Sequence, residues 1–247
     1  MGDSAGFRPG LHRRARVVEK ARENPRTVSL VLDISLRAVP GQFAMLWLPD
    51  IDEKPFSIAG DDPLQFTISA VGPFSSALQR LQPGDALHVR GPFGKGFSVA
   101  PGRALLVGGG YGAAPLHYLA QALLAAGGKP EAVIGARTDA DLLFMKRFSR
   151  LGVPAHATTE DGSTGIRGMV PDAVAPLLAS GRFDRLCACG PEAMLESLAA
   201  LCARARMPAE LSREAYMRCG IGICGSCECE AGLVCMDGPV FSVPGGR

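Results

Sequence analysis

The sequence predicts a small antiparallel β-barrel, then a doubly wound parallel α/β sheet, then a metal-binding segment at the C-terminal end. Three observations predict it. Residues 13–99 break into short apolar or β-branched runs between turns rich in Pro, Gly and Asp, with almost no helical periodicity. From Pro101 onward, strand-like and helix-like segments alternate. Five of the eight cysteines then fall between Tyr216 and Phe241. The expected divisions are residues 1–100, 101–210 and 211–247, and 247 residues suffice for two compact domains.

In the first division RARVVEK, TVSLVLD, QFAMLWL, FSIAG, LQFTISAV and ALHVRG read as strands. One helix is expected, Ser75 to Leu81, with Leu78 and Leu81 on one face, plugging or capping the barrel. Lys54, Pro55, Phe56 and Ser57 bring a cation, an aromatic ring and a hydroxyl onto one strand, which suit a phosphate, a flat ring system and a ring heteroatom. The competing reading makes Phe56 core and Lys54 a surface charge. Ser75 and Ser76 open the helix, where a helix N-terminus can receive a pyrophosphate; equally, one of them can be the N-cap.

In the second division ALLVGGG is a buried strand and AAPLHYLAQALLAAG a helix ended by Gly127 and Gly128. EAVIGAR, a helix over DLLFMKRFSRLG, AHATTED, MVPDAVAPLLAS, RLCACG and PEAMLESLAALCARARM continue the alternation, and ELSREAYM is the last strand before the cysteines. Gly108, Gly109, Gly110 and Gly112 lie between the first strand and its helix, where backbone N–H groups can face a phosphate. Ala113 and Pro115 depart from the GxGxxG pattern, so a tight turn without a ligand is the competing reading. Cys189, Gly190 and Pro191 form a second strand-end turn, and open α/β sheets bind ligands at such ends. Glu160 and Asp161 read as a strand-end loop, either touching ribose hydroxyls or simply solvated.

Cys219, Cys224 and Cys227 give CxxxxCxxC, and Cys235 follows eight positions later, the spacing of plant-type 2Fe-2S ligation. Gly220, Gly222 and Gly225 permit the close approach of backbone to sulfur that such a loop needs. Zinc is the rival metal, although structural zinc sites usually take paired CxxC knuckles. Cys229 alternates with Cys227, so in an extended segment its thiol points away from that of Cys227, as a bystander's would.

Net charge is +2, with scattered basic residues; Arg13, Arg14 and Arg16 read as a solvated strand face, so no nucleic-acid surface is expected. The N-terminal MGDSAGFRPG lacks the apolar core of a signal peptide and no run is long enough to span a bilayer, so a cytosolic protein is expected. The four histidines, His12, His88, His117 and His156, fall in different elements; there is neither HExxH nor GxSxG, which leaves hydrolase chemistry without support. His117 reads as a core or rim residue.

Together and in this order, KPFSIA, GGGYGAAPL, TEDGSTGIRG, CGPEAM and CGIGICGSC followed by VCMDGPVF resemble the electron-transfer subunits of dihydroorotate dehydrogenase, among the ferredoxin-reductase-like flavoproteins. The resemblance implies an FAD-binding barrel, an NAD-binding α/β domain and a 2Fe-2S segment. It also implies a separate FMN-containing catalytic subunit, a heterotetramer of two of each, and a place in cytoplasmic pyrimidine (UMP) biosynthesis. Carried over by position, Lys54, Pro55, Phe56 and Ser57 match the flavin motif, with Lys where Arg is usual, which loses the bidentate clamp. Thr67, Ile68 and Ser69 match the strand beside the flavin; Ser75 matches the threonine of a Gly-Thr pair whose glycine is here Phe74. Gly108, Gly109, Gly110, Gly112, Cys189, Gly190 and Pro191 match the nicotinamide side, and Cys219, Cys224, Cys227 and Cys235 match the cluster ligands.

The implied path runs from dihydroorotate through FMN, cluster and FAD to NAD, with the chemistry carried by the cofactors. Two other readings stand beside it. One is a subunit linking NAD(P)H to ferredoxin or a hydrogenase; the other is a non-enzymatic iron-sulfur sensor. Ile221, Ile223, Leu233 and Val234 flank the thiols and either meet the partner or shield the cluster from water.

Overall fold

Alternation of inward apolar with outward residues curls the first six strands into a closed antiparallel barrel. In this computed structural model, which describes residues 10–243, β1 (Arg13–Asn24), β2 (Thr27–Leu32), β3 (Phe43–Leu48), β4 (Asp52–Asp61), β5 (Leu64–Ser69) and β6 (Ala86–Phe93) follow the order β1-β2-β5-β4-β3-β6. Arg13 to Arg16 pair with Ala86 to Val89 and close the ring. Residues 1–9 of the stretch read for a leader lie outside the described residues. Leu30, Leu46, Ile58, Phe66, Ile68, Leu87 and Val89 fill the interior, each contributing about 2 kcal/mol of transfer free energy. The helix α1 (Pro73–Arg80) starts two residues earlier than expected and drives Phe74, Ala77 and Leu78 into that core.

The second half is a seven-stranded sheet in the order β10-β9-β8-β7-β11-β12-β15. Its strands are β7 (Arg103–Gly109), β8 (Lys129–Ala136), β9 (Ala155–Thr159), β10 (Ile166–Arg167), β11 (Arg185–Cys189), β12 (Ala209–Ser212) and β15 (Val240–Val243), parallel except that β15 runs antiparallel to β12. Strands covered on both faces read as unbroken apolar runs, as ALLV in β7 does. On one face α2 (Ala113–Ala125) and α3 (Met145–Arg150) bury Leu116, Leu119, Leu123 and Phe148. On the other, α4 (Val170–Ala179) and α5 (Glu192–Ala205) bury Val174, Leu178, Leu195 and Leu198.

Several local expectations need correction. The helix expected over DLLFMKRFSRLG shrinks to α3, because Phe144 is its N-cap and does not take the right-handed helical backbone. Phe144 takes φ +65° instead. The strand expected over ELSREAYM stops at Ser212, and the chain leaves the sheet at Arg213, whose N–H donates to the Pro239 carbonyl. The return strand β15, the edge strand β10 and a small hairpin of β13 (Glu228–Cys229) with β14 (Gly232–Leu233) were not anticipated.

Polar contacts, one of them buried, fasten barrel to sheet. The Tyr118 hydroxyl on α2 donates to the Ala38 carbonyl at 2.8 Å, and Glu210 on β12 accepts from the Ser98 hydroxyl at 2.6 Å. Among the described residues no helix is long and apolar enough to cross a membrane.

Candidate functional site

The cysteine segment lies on the outside of the barrel. In β3, Ala44, Leu46 and Leu48 face the barrel interior, whereas Phe43 and Met45 point outward. Outward apolar side chains need a cover, and the segment supplies it: Phe43, Met45 and Phe93 pack with Met217, Cys227, Val234 and Cys235. Gly220, Gly222 and Gly225 all take the left-handed backbone, at φ +70°, +77° and +71°, which lets the chain wind tightly about the thiols.

The four predicted thiols come together as two pairs. Cys219 and Cys224 lie within hydrogen-bonding reach of each other, as do Cys227 and Cys235. Backbone N–H groups are aimed at sulfur: Ile221 donates to Cys219 Sγ at 3.5 Å and Cys235 to Cys227 Sγ at 3.4 Å. The Ser226 hydroxyl and N–H draw the Cys224 thiol down to about 6. For Cys219, burial acts upward but is outweighed by the N–H groups of Ile221, Cys224 and Ile223, leaving it below the usual thiol range. Burial, aided by the adjacent Cys227, pushes Cys235 up to about 11. Two thiol pairs, each with N–H donors on a sulfur, fit a two-iron cluster in which each iron takes two thiolates. Cys229 turns its Sγ to the Gly232 carbonyl at 3.3 Å within the small hairpin.

A cavity of about 580 Å³ opens where the barrel meets the sheet, lined by Lys54, Pro55, Phe56, Ser57, Thr67, Ser69 and Ser75 together with Gly112 and Cys189. Its far wall is Glu214 to Met217, so the segment leading to Cys219 also bounds the cavity. Phe56 serves both readings, packing on the barrel core 6.1 Å from the Phe74 ring while lining the cavity. Lys54 pairs with Asp52 at 2.8 Å and lies 5.4 Å from the Tyr216 ring centroid. Ile68 points into the barrel. The Ser75 hydroxyl is already engaged, accepting from the N–H groups of Val71 and Gly72 and donating to the Gly72 carbonyl, all at 3.0 Å. An anion at the start of α1 therefore meets backbone rather than hydroxyl, and Ser76, whose N–H donates to the Gly72 carbonyl, stands outside the lining.

A second cleft of about 560 Å³ runs along the C-terminal ends of β7, β8 and β9 and the turn after β11, past Gly109, Gly110, Gly135, Thr158, Glu160 and Pro191. The two strand-end turns touch: a Cβ on Gly112 would sit 2.1 Å from the Cys189 carbonyl oxygen. Gly108 and Gly190 lie behind the lining, holding that contact. Glu160 faces the cleft, while Asp161 closes its own turn by accepting from Ser163. Asn24, Arg26 and Asp141 were not singled out in the sequence; they reach the cleft from the β1–β2 turn and the loop after β8.

Cavity and cleft meet at Ser69, Val71 and Tyr111, which line both. Tyr111 donates to Glu214 at 3.1 Å, and burial raises the Glu214 carboxyl. His117 is core, wedged edge-on between Phe144 and Phe148 with centroids 5.4 Å away, and burial pulls it down to about 4.

A barrel joined to a parallel sheet, with a dinucleotide-type cleft at the strand ends, defines the ferredoxin-reductase-like oxidoreductases. Solved structures agree. A chain of the NADH-dependent reduced ferredoxin-NADP oxidoreductase superposes with TM-score 0.84 at 29% identity, over 92% of this chain and 87% of the other. A ferredoxin NADP+ reductase from Neisseria gonorrhoeae with bound FAD and NADP gives 0.66 at 15% identity, over 77% and 89%, a likeness of fold. Residues 106–200 match the oxidoreductase NAD-binding domain, and residues 214–244 match the iron-sulfur cluster binding domain of dihydroorotate dehydrogenase B. The probable dihydroorotate dehydrogenase B (NAD(+)) electron transfer subunits of Methanocaldococcus jannaschii and Methanopyrus kandleri are 38% and 42% identical, each over 92% of this chain and 88% of the relative. The chain belongs to the family of dihydroorotate dehydrogenase B electron transfer subunits.

Proposed function

We propose that this chain is the electron transfer subunit of an NAD-dependent dihydroorotate dehydrogenase, carrying electrons through a 2Fe-2S cluster and FAD to NAD in pyrimidine synthesis. The observation that carries the reading is continuity: the thiol segment forms one wall of the barrel-side cavity, and that cavity shares Ser69, Val71 and Tyr111 with the dinucleotide cleft. When bound, FAD supplies the interconversion of single electrons and hydride.

The chain's own part is to hold and orient. Cys219, Cys224, Cys227 and Cys235 are the proposed cluster ligands. Lys54, Pro55, Phe56, Ser57, Thr67, Ile68 and Ser69 form the proposed flavin strand pair, and the backbone at the start of α1, rather than the hydroxyls of Ser75 and Ser76, the proposed pyrophosphate seat. Gly108, Gly109, Gly110, Gly112, Cys189, Gly190 and Pro191 shape the nicotinamide side. The division of labour would fall at about residues 100 and 210. An FMN-containing catalytic subunit is the proposed partner, two copies with two of this chain, in the cytoplasm, where unpaired thiols stay reduced. Ile221 and Ile223 are 39% and 79% exposed beside the thiols, which supports docking of the partner there.

The ferredoxin-linked reading draws support from the 0.84 superposition. It is the weaker of the two, because relatives at 38% and 42% identity bear the dihydroorotate name and Cys235 completes a four-thiol set. Anaerobic purification tests the proposal: two irons, two acid-labile sulfides and one FAD per chain are expected, with NADH bleaching the flavin. Zinc in place of iron, or reoxidation of photoreduced flavin by neither NAD nor NADP, would overturn it.

A further inference from the structure

Arg90 has no place in the ligand set, yet its surroundings tie it to the cluster segment. On β6, Leu87 and Val89 face the barrel interior, so Arg90 lies out of step with them, on the outer face. An outward arginine should be solvated, but Arg90 is only 6% exposed. The cysteine segment has closed over it. A guanidinium removed from water must have partners for its donors. Nε and Nη2 donate to the two carboxylate oxygens of Glu53 at 2.6 and 2.8 Å, and Nη1 donates to the backbone carbonyl of Cys219 at 2.6 Å. Glu53 is held in turn by His12 at 2.7 Å. The fork thus clamps a carboxylate on one side and the peptide of the first thiol ligand on the other.

Two consequences follow from the geometry. The carbonyl of Cys219 is fixed, and because the peptide is planar, the Gly220 N–H is fixed on the side away from the guanidinium. That orients the peptide from which the glycine loop starts. A buried positive charge also stands one peptide away from a sulfur, where it favours whichever state of the cluster carries more negative charge. Glu53 offsets part of that field. We propose that Arg90 is a positioning residue for the cluster, seating the Cys219 peptide and raising the cluster's reduction potential, with Glu53 as the counter-charge that trims the effect.

This inference rests on the iron-sulfur reading above, so the parent chain is assayed first; absence of iron and sulfide there would defeat that reading and not this one. In the anaerobically purified full chain, R90Q, R90K and E53Q are compared by FAD content, by iron release to a chelator and by redox titration of the cluster's electron paramagnetic signal. All three should keep FAD, because Arg90 and Glu53 lie outside the flavin cavity's lining. R90Q should release iron about tenfold faster, the loss expected for one charge-assisted hydrogen bond. Its cluster should titrate at a lower potential, whereas E53Q, which removes the opposing charge, should titrate at a higher one. R90K should keep a potential near the parent's while releasing iron faster than the parent. Opposite shifts in R90Q and E53Q are the signature, since a merely structural lesion would move both the same way. If R90Q retains no cluster, an upward shift in E53Q with parent-like potential in R90K upholds the proposal. Unchanged potentials, shifts of one sign, or loss of the cluster from all three variants would overturn it.

Discussion

The contact between Gly112 and Cys189 offers a direct test of how the nicotinamide side is built. A Cβ at position 112 would stand 2.1 Å from the Cys189 carbonyl oxygen and 2.5 Å from its carbon, where an unstrained carbon–oxygen contact is roughly 3.2 Å. Both are backbone atoms, so no rotamer relieves the clash, and Gly112→Ala must push the end of β11 from the start of α2 by about 1 Å. Overpacking of this kind costs about 1–3 kcal/mol, which for a chain of this size lowers Tm by roughly 5 °C. The functional loss should be larger, since a displacement of about 1 Å near a reacting centre can cost on the order of 100-fold in rate. The assay is stopped-flow bleaching of the bound flavin by NADH, run beside a thermal melt. Gly127→Ala is the control: it strains a residue at φ +78° with nothing within 4 Å of the new Cβ, and should lower Tm slightly while bleaching at the parent rate. A Gly112→Ala protein that melts and bleaches like the parent would show that the two turns are not held by this contact.

Cys235→Ser should lose iron and sulfide, whereas Cys229→Ser should retain both, because Cys229 bonds within its own hairpin; equal loss would redraw the ligand set. Ile223→Glu should weaken association with the FMN-containing catalytic subunit and slow dihydroorotate-dependent NAD reduction while NADH still bleaches the flavin; undiminished association would move the interface elsewhere. His117 is drawn from 6.5 to about 4 by burial, so the folded state binds fewer protons than the unfolded chain between those values, and stability falls as pH falls through that window. His117→Leu should remove on the order of 3 kcal/mol of pH-dependent stability across that window, read from melts at pH 4 to 7; an unchanged pH dependence would assign the acid sensitivity to other groups.

Where local pattern and burial coincide, the sequence was a good guide. The six barrel strands appear where their apolar runs stand, because each inward face packs on one shared core. The four thiols were singled out because 2Fe-2S ligation would fix such a spacing, and the folded chain draws them together as two pairs. Failures arise where a distant segment decides the environment. Nothing in ALHVRG says that Arg90 will be buried, since the cover comes from residues beyond Met217. Leu142 to Phe144 look helical by composition, yet Phe144 takes a left-handed backbone and packs its ring on His117, a residue far away in the sequence. Ser75 and Ser76 read either as a pyrophosphate contact or as an N-cap, and neither reading shows that Gly72 and Pro73 start the helix earlier, so that the Ser75 hydroxyl sits in the first turn and bonds to the Gly72 backbone.

The return of β15 to β12 has a consequence for how such chains are assembled over generations. Ser212 and Val240 are paired neighbours in the antiparallel ladder, about 4.8 Å across, so residues 213–239 form an excursion inserted into what would otherwise be a plain hairpin. A lineage can enlarge, exchange or discard such an insert without rethreading the sheet, because its two ends never separate. The barrel sets the limit. Without the excursion, the outer face bearing Phe43, Met45 and Phe93 would be left greasy and sticky, so the insert can be given up only by a chain that also makes those three positions polar.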